Sequence, residues 1–129
     1  MTIAFLIGRI IFGLYWLEVA YGHLFKSAGL IGYAQSKGVK SPKLAVFGSG
    51  VLALIGGATM ILGTYPGVGV IAIVLFLLGV SFRIHPYWKT ADPMAKMGER
   101  INFNKNMAIL AAALMFLAIA MPWPYSLGW

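Results

Sequence analysis

Few side chains in this chain can carry chemistry, and Glu18 is the sharpest of them. It stands two thirds of the way along the run Thr2–Leu24, where nearly every neighbour is apolar. A carboxyl near mid-helix in lipid costs roughly 2.5–3.5 kcal/mol, and less toward one end. Something must offset that cost. Tyr15, Tyr21 and Gly22 fall on its face at helical spacing. A phenol beside an acid, with a glycine opening space, describes a small polar pocket. Such a pocket suits a proton carrier, a ligand carboxylate or an anchor for a quinone headgroup. The plainer reading, taken first, is a neutral or paired Glu18 hydrogen-bonded to another helix.

Arg9 lies nine residues before Glu18. At 100° per residue that is half a turn, so the two do not share a stripe. Snorkelling of Arg9 to the nearer interface is the expectation, with an inward role toward an anion or carboxylate as the alternative. His23 and His85 end two apolar runs at one level. Such a pair raises a bis-His haem or metal reading. Two ligands are too few for structural zinc, and the chain has no cysteine to add. A haem there would sit close to the surface, so neither metal nor haem is expected. Histidines bonded to lipid or loop come first, and a histidine shuttling protons to a quinone second. No phosphate loop, nucleophile elbow or His-Glu-His metal helix occurs, so no catalysis by this chain alone is expected.

Only a membrane can position these groups. The chain is 60% hydrophobic with a mean hydropathy of +0.86. Charged residues make up 10%, against roughly 25% in soluble domains. A water-soluble fold of 129 residues could not hide that much apolar surface, whereas lipid removes the difficulty. The net charge of +7 would suggest nucleic acid in a soluble protein. Here the bases cluster in two loops, no basic stripe lies outside them, and nucleic acid is not an expected partner. The first apolar run lacks a basic leader and a small-residue cleavage site, and is expected to stay as helix one.

The pattern predicts an all-α integral membrane fold: one domain over 1–129, a four-transmembrane-helix up-down bundle. The spans run over about 2–24, 44–63, 67–84 and 105–123, with short interfacial segments in loops 1 and 3. Ser41-Pro42 reads as a cap followed by proline at the first helical position. Tyr65-Pro66-Gly67 is a tight turn between spans two and three. Asn104 is the expected cap of span four, and Asp92-Pro93 the start of a separate short helix, Met94 to Glu99. In loop 1, Leu30, Ile31, Tyr33 and Ala34 are apolar enough to rest on the membrane. Ala45, Ser49, Ala53 and Gly57 in span two, with Ala108 and Ala112 in span four, mark expected helix-packing stripes.

Lys26, Lys37, Lys40 and Lys43 lie in loop 1, and Arg83, Lys89, Lys96, Arg100 and Lys105 in and around loop 3. Arg9 alone lies toward the other side. The bias places loops 1 and 3 in the cytoplasm and both termini outside the inner membrane. Trp123, Tyr125 and Trp129 form the expected outer aromatic anchor, and Tyr87 and Trp88 the inner one.

The order of these features resembles the DoxX family of small four-helix membrane proteins. Gly8-Arg9 is similar to its early arginine, and Tyr21-Gly22-His23-Leu24-Phe25-Lys26 to its exit from span one. The segment Gly32 to Val39 followed by Pro42, the pairs Gly56-Gly57 and Leu62-Gly63, His85 and the run Lys105 to Leu110 resemble later family features. Lys26 falls one residue late, and Ala53-Leu54-Ile55 stands where family members often carry an acid. The resemblance implies a subunit of a redox or quinone-linked complex that anchors a partner or lines a quinone pocket. Glu18, Tyr21, His23 and His85 would line it, with Arg9 as a further candidate. A larger membrane or redox complex, or a homo-oligomer, is the implied partner besides the bilayer. The alternatives are a small proton-coupled transporter working through Glu18 and a structural accessory subunit.

Overall fold

The computed structural model describes residues 1–128; Trp129, assigned above to an aromatic anchor, lies outside the described residues. Five α-helices follow one another: α1 (Thr2–Phe25), α2 (Ala28–Ser36), α3 (Pro42–Leu62), α4 (Pro66–Arg83) and α5 (Pro93–Met115). Single 3-10 turns lie at Tyr87–Lys89 and Phe116–Ala118. Four helices, α1, α3, α4 and α5, are long and apolar enough to cross a membrane. Their backbone groups bond within each helix, which is what hydrocarbon demands of a spanning segment.

Local chemistry sets the boundaries. Pro42, Pro66 and Pro93 each open a helix, where a missing N–H costs nothing. Ser41 precedes Pro42 as foreseen, but its side chain makes no capping bond. Gly63, at φ +70°, ends α3 in the left-handed conformation that favours glycine. Tyr65, at φ +47°, reverses the chain into α4.

The fourth span departs from expectation. Asp92 caps α5, its carboxylate accepting from Ala95 N at 2.8 Å. The helix then runs unbroken through Asn102, Asn104 and Asn106, so Asn104 is no cap and Met94 to Glu99 is no separate helix. Nothing in that stretch stops a helix once it is capped. The far end is shorter than expected. Helix geometry ceases at Ala118, and the chain folds back, with Leu127 N donating to Leu62 O at 2.9 Å.

Trp123 therefore is not at an interface. It is 2% exposed, edge-on to Phe5 with centroids 5.1 Å apart and beside Phe116 at 5.6 Å. These rings, with Phe12 and Trp16, fill the space between α1 and the end of α5. The core continues through Ala53, Met60, Ile73, Phe76, Leu77 and Ala113.

The α1–α3 pair packs most intimately. A Cβ on Gly57 would lie 2.8 Å from Gly13 O, and one on Gly13 would lie 2.9 Å from Gly57 O. The two backbones touch there. Ala53 and Gly57 of the foreseen stripe are buried, but Ala45 is exposed, and Gly50 completes the seam. On α5 the buried positions are Asn106 and Ala113, while Ala108 faces outward.

Candidate functional site

The end of the bundle that carries the basic loops assembles a site from all five helices. On α2, Tyr33 lies four residues before its C-cap Lys37, so both side chains reach one face. The α5 helix brings Glu99 to that face. Glu99 Oε1 accepts from Tyr33 Oη at 2.9 Å and from Lys37 Nζ at 2.8 Å. Its Oε2 accepts from His85 Nδ1 at 2.5 Å. The Glu99 and His85 side chains are only 12% and 13% exposed. One carboxylate thus joins α2, α5 and the segment after α4.

Glu99 precedes the apolar part of α5, in the charged stretch with Lys96 and Arg100. Burial alone would raise its pKa. The donations from Lys37, His85 and Tyr33 outweigh burial and hold the carboxyl at about 2. The hydrogen bond to Glu99 raises the Lys37 pKa above its ordinary value. Burial, then the bond to Glu99, raises that of Tyr33. All three shifts favour the arrangement seen: an ionised carboxylate, an ammonium and a neutral phenol.

Behind this cluster lies a half-open cavity of about 530 Å³ between α2, α3 and α4. That is within the range of roughly 300–1,000 Å³ typical of small-molecule sites. Leu30, Val39, Leu52, Phe76, Val80 and Ile84 make its walls apolar. His23, Ser49, Tyr33, Arg83 and His85 supply the polar atoms. Arg83 Nη2 also donates to Gly38 O at 2.7 Å and ties the α2–α3 loop over α4.

Both histidines are held by one nitrogen. A carbonyl can only accept, so His23 Nδ1 donates to Val19 O at 2.8 Å. Its ring rests edge-on against Phe76 at 5.4 Å. His85 Nδ1 likewise faces the Glu99 carboxylate. In each ring Nε2 has no hydrogen-bond partner among the described residues. A smaller cavity of about 420 Å³, lined by Ser27, Ile31, Lys43 and Phe47, also reaches His23. His23 therefore stands between the two. Among the described residues no cluster of three His, Cys, Asp or Glu side chains could hold a metal.

The other candidates lie elsewhere. Glu18 is on the outward face of α1 with Tyr15 and Tyr21, and it makes no hydrogen bond among the described residues. The expected bond from Glu18 to another helix is absent because its face of α1 points away from the bundle. Arg9 does the reverse of snorkelling. It is 1% exposed, with Nη2 donating to Tyr125 O at 2.7 Å and the guanidinium 6.0 Å from the Trp123 ring centroid. Its Nε and Nη1 have no partner among the described residues. Gly63, the C-cap of α3, leaves it room, and the negative end of that helix faces the charge. Arg9 staples the C-terminal segment to the α3–α4 hairpin. Arg9→Ala should free that segment, with proteolysis after Trp123 accelerated about tenfold while the bundle stays folded. Limited proteolysis with circular dichroism checks it.

Sequence reasoning did not single out Glu99, Lys37 or Tyr33. One signal was present: Glu99 is one of only three acids, and the Tyr33–Lys37 spacing offers two donors on one face. Tyr33 and Ala34 were expected to rest on lipid. Instead Ala34 is buried and α2 docks on α3.

A family model matches residues 4–86, from the first turn of α1 to just past His85, and its description is DoxX. The chain belongs to the DoxX family. Its four apolar helices and that membership make it a small integral membrane protein. The DoxX match spans every residue lining both cavities, and stops before α5. Glu99 and the Lys105 to Leu110 run, which resembled a family feature, therefore lie outside it. No curated protein and no solved structure matches the chain.

Proposed function

We propose that this DoxX protein binds an amphipathic ligand of the quinone class in the 530 Å³ cavity, as the membrane subunit of a redox complex. The observation that carries the proposal is the pairing of apolar walls with two histidines, each held by Nδ1 and free at Nε2. A quinone headgroup needs donors at its carbonyl oxygens, and its tail needs apolar walls. The cavity offers both. When bound, a quinone supplies reversible two-electron, two-proton chemistry. His23 and His85 would hold its headgroup, and Leu52, Phe76 and Val80 would take the apolar part.

The protein's share of the work is position and protons. Glu99 orients the His85 ring and keeps the Nδ1 hydrogen in place, so proton exchange occurs at Nε2. Lys37, 25% exposed, and Tyr33 connect that carboxylate to the aqueous side. The basic loops support a cytoplasmic side for this end. Electrons would come from a partner, as the chain has no cysteine for a dithiol relay. Glu18 does not line the cavity, so transport through Glu18 draws no support from it.

The test is binding of a short-chain benzoquinone to the purified protein in lipid nanodiscs, read by tryptophan quenching. Saturable binding is expected. His85→Ala should weaken it about 5- to 10-fold. Ser49→Phe, which places a ring in the cavity, should abolish it, and Glu18→Gln should leave it unchanged. No saturation, or binding indifferent to both His85→Ala and Ser49→Phe, overturns the proposal.

A further inference from the structure

Glu18 is the one acid within the apolar stretches of the four spanning helices, and it faces away from its own bundle. Around it α1 exposes Ile11, Leu14, Tyr15 and Tyr21, at 64%, 53%, 40% and 54%. Lipid satisfies the aliphatic members of that face. It offers nothing to a carboxyl. Arg9, the cation inside the same helix, is turned inward and committed to Tyr125. The outward faces of α3 and α4 carry Val51, Leu54, Ile71, Leu75 and Leu78, and hold no donor at this depth.

We propose that the α1 face around Glu18 is a homodimer interface, and that a second copy of this chain covers the carboxyl. The loop bases give every copy the same orientation, so a two-fold axis along the membrane normal brings α1 against α1 in parallel. Depths then match. Glu18 of one copy meets Tyr15 and Tyr21 of the other, which supply hydroxyl donors where lipid has none. Polar side chains join membrane helices in this way. The opposite face of α1 is already occupied by α3 through Gly13 and Gly57, so dimerisation leaves the bundle undisturbed. The inference does not depend on what the cavity binds.

The chain has no cysteine, so single cysteines report contacts cleanly. Leu14→Cys on the α1 face and Leu78→Cys on α4, both exposed and well inside their spans, are oxidised in phosphatidylcholine vesicles. Leu14→Cys should cross-link to dimer much faster than Leu78→Cys. Fluorescence energy transfer between labelled copies in the same vesicles then gives the dissociation constant. Glu18→Leu should weaken association about 5- to 25-fold, and Glu18→Gln, which still donates and accepts, should keep most of it. Equal cross-linking at the two sites overturns the inference. So does association that Glu18→Leu leaves unchanged or strengthens. A chain that stays monomeric at every protein-to-lipid ratio, as when a different protein normally covers the face, overturns it equally.

Discussion

Gly57→Leu should lose the folded bundle. At that position the first added carbon already meets Gly13 O at 2.8 Å and Leu17 N at 2.9 Å, both backbone atoms. Backbone cannot swing aside as a side chain can, so α1 and α3 must separate. Overpacking a well-filled interior costs about 1–3 kcal/mol, and occasionally more. Gly57→Ala belongs in that range. The three further carbons of leucine press on the same crossing and exceed it. Against a typical total stability of roughly 5–15 kcal/mol, that is a large fraction. The control is Gly8→Leu, where nothing lies within 4 Å of an added carbon. It should be neutral or slightly stabilising, since glycine is the poorer helix former by about 1 kcal/mol relative to alanine. Denaturation by sodium dodecyl sulfate in mixed micelles, followed by circular dichroism and tryptophan fluorescence, separates the three variants. A Gly57→Leu midpoint equal to that of the parent would refute the close α1–α3 crossing.

Glu99→Ala has the second largest expected effect. It strips Lys37, Tyr33 and His85 of one shared acceptor. Hydrogen bonds to a charged group contribute about 1.5–3 kcal/mol each, but these are not additive, and the 25% exposed Lys37 rehydrates. A net loss of about 2–3 kcal/mol is expected, concentrated in the docking of α2. Hydrogen exchange in Ala28–Ser36 should rise more than in α3. The pH dependence has a definite sign. The folded pKa of about 2 lies below the ordinary 4.5, so the unfolded chain takes up protons first as pH falls. The stabilisation is complete above pH 4.5, declines below it, and is gone once pH passes through about 2. Thermal unfolding across that interval should show the decline in the parent. In Glu99→Gln it should be flatter, with lower stability at neutral pH. Parallel curves for the two would show that Glu99 carries no such charge-dependent bonds.

Composition and local order made the membrane character, the helix count and most boundaries legible. A proline opening a helix acts through its own backbone, and Pro42 and Pro66 did so where they were read. Hydropathy likewise depends only on neighbours along the chain. His23 and His85 could be placed at one level because helical rise converts residue number into depth. Their common cavity was within reach for that reason.

Rotation about each helix axis was not within reach. A 24-residue helix in lipid is apolar nearly all round, so its sequence scarcely marks which side meets protein. Arg9 went inward because Gly63, Trp123 and Tyr125 converge on it from three distant parts of the chain. Glu18, half a turn away, was thereby sent outward. Glu99 found Tyr33, 66 residues distant, only because α5 begins at Asp92 and not at Asn104. Depth along the membrane normal is a one-dimensional quantity that sequence order encodes. Which side chains face one another across the bundle depends on how several helices fill a common space, and only the packed structure resolves it.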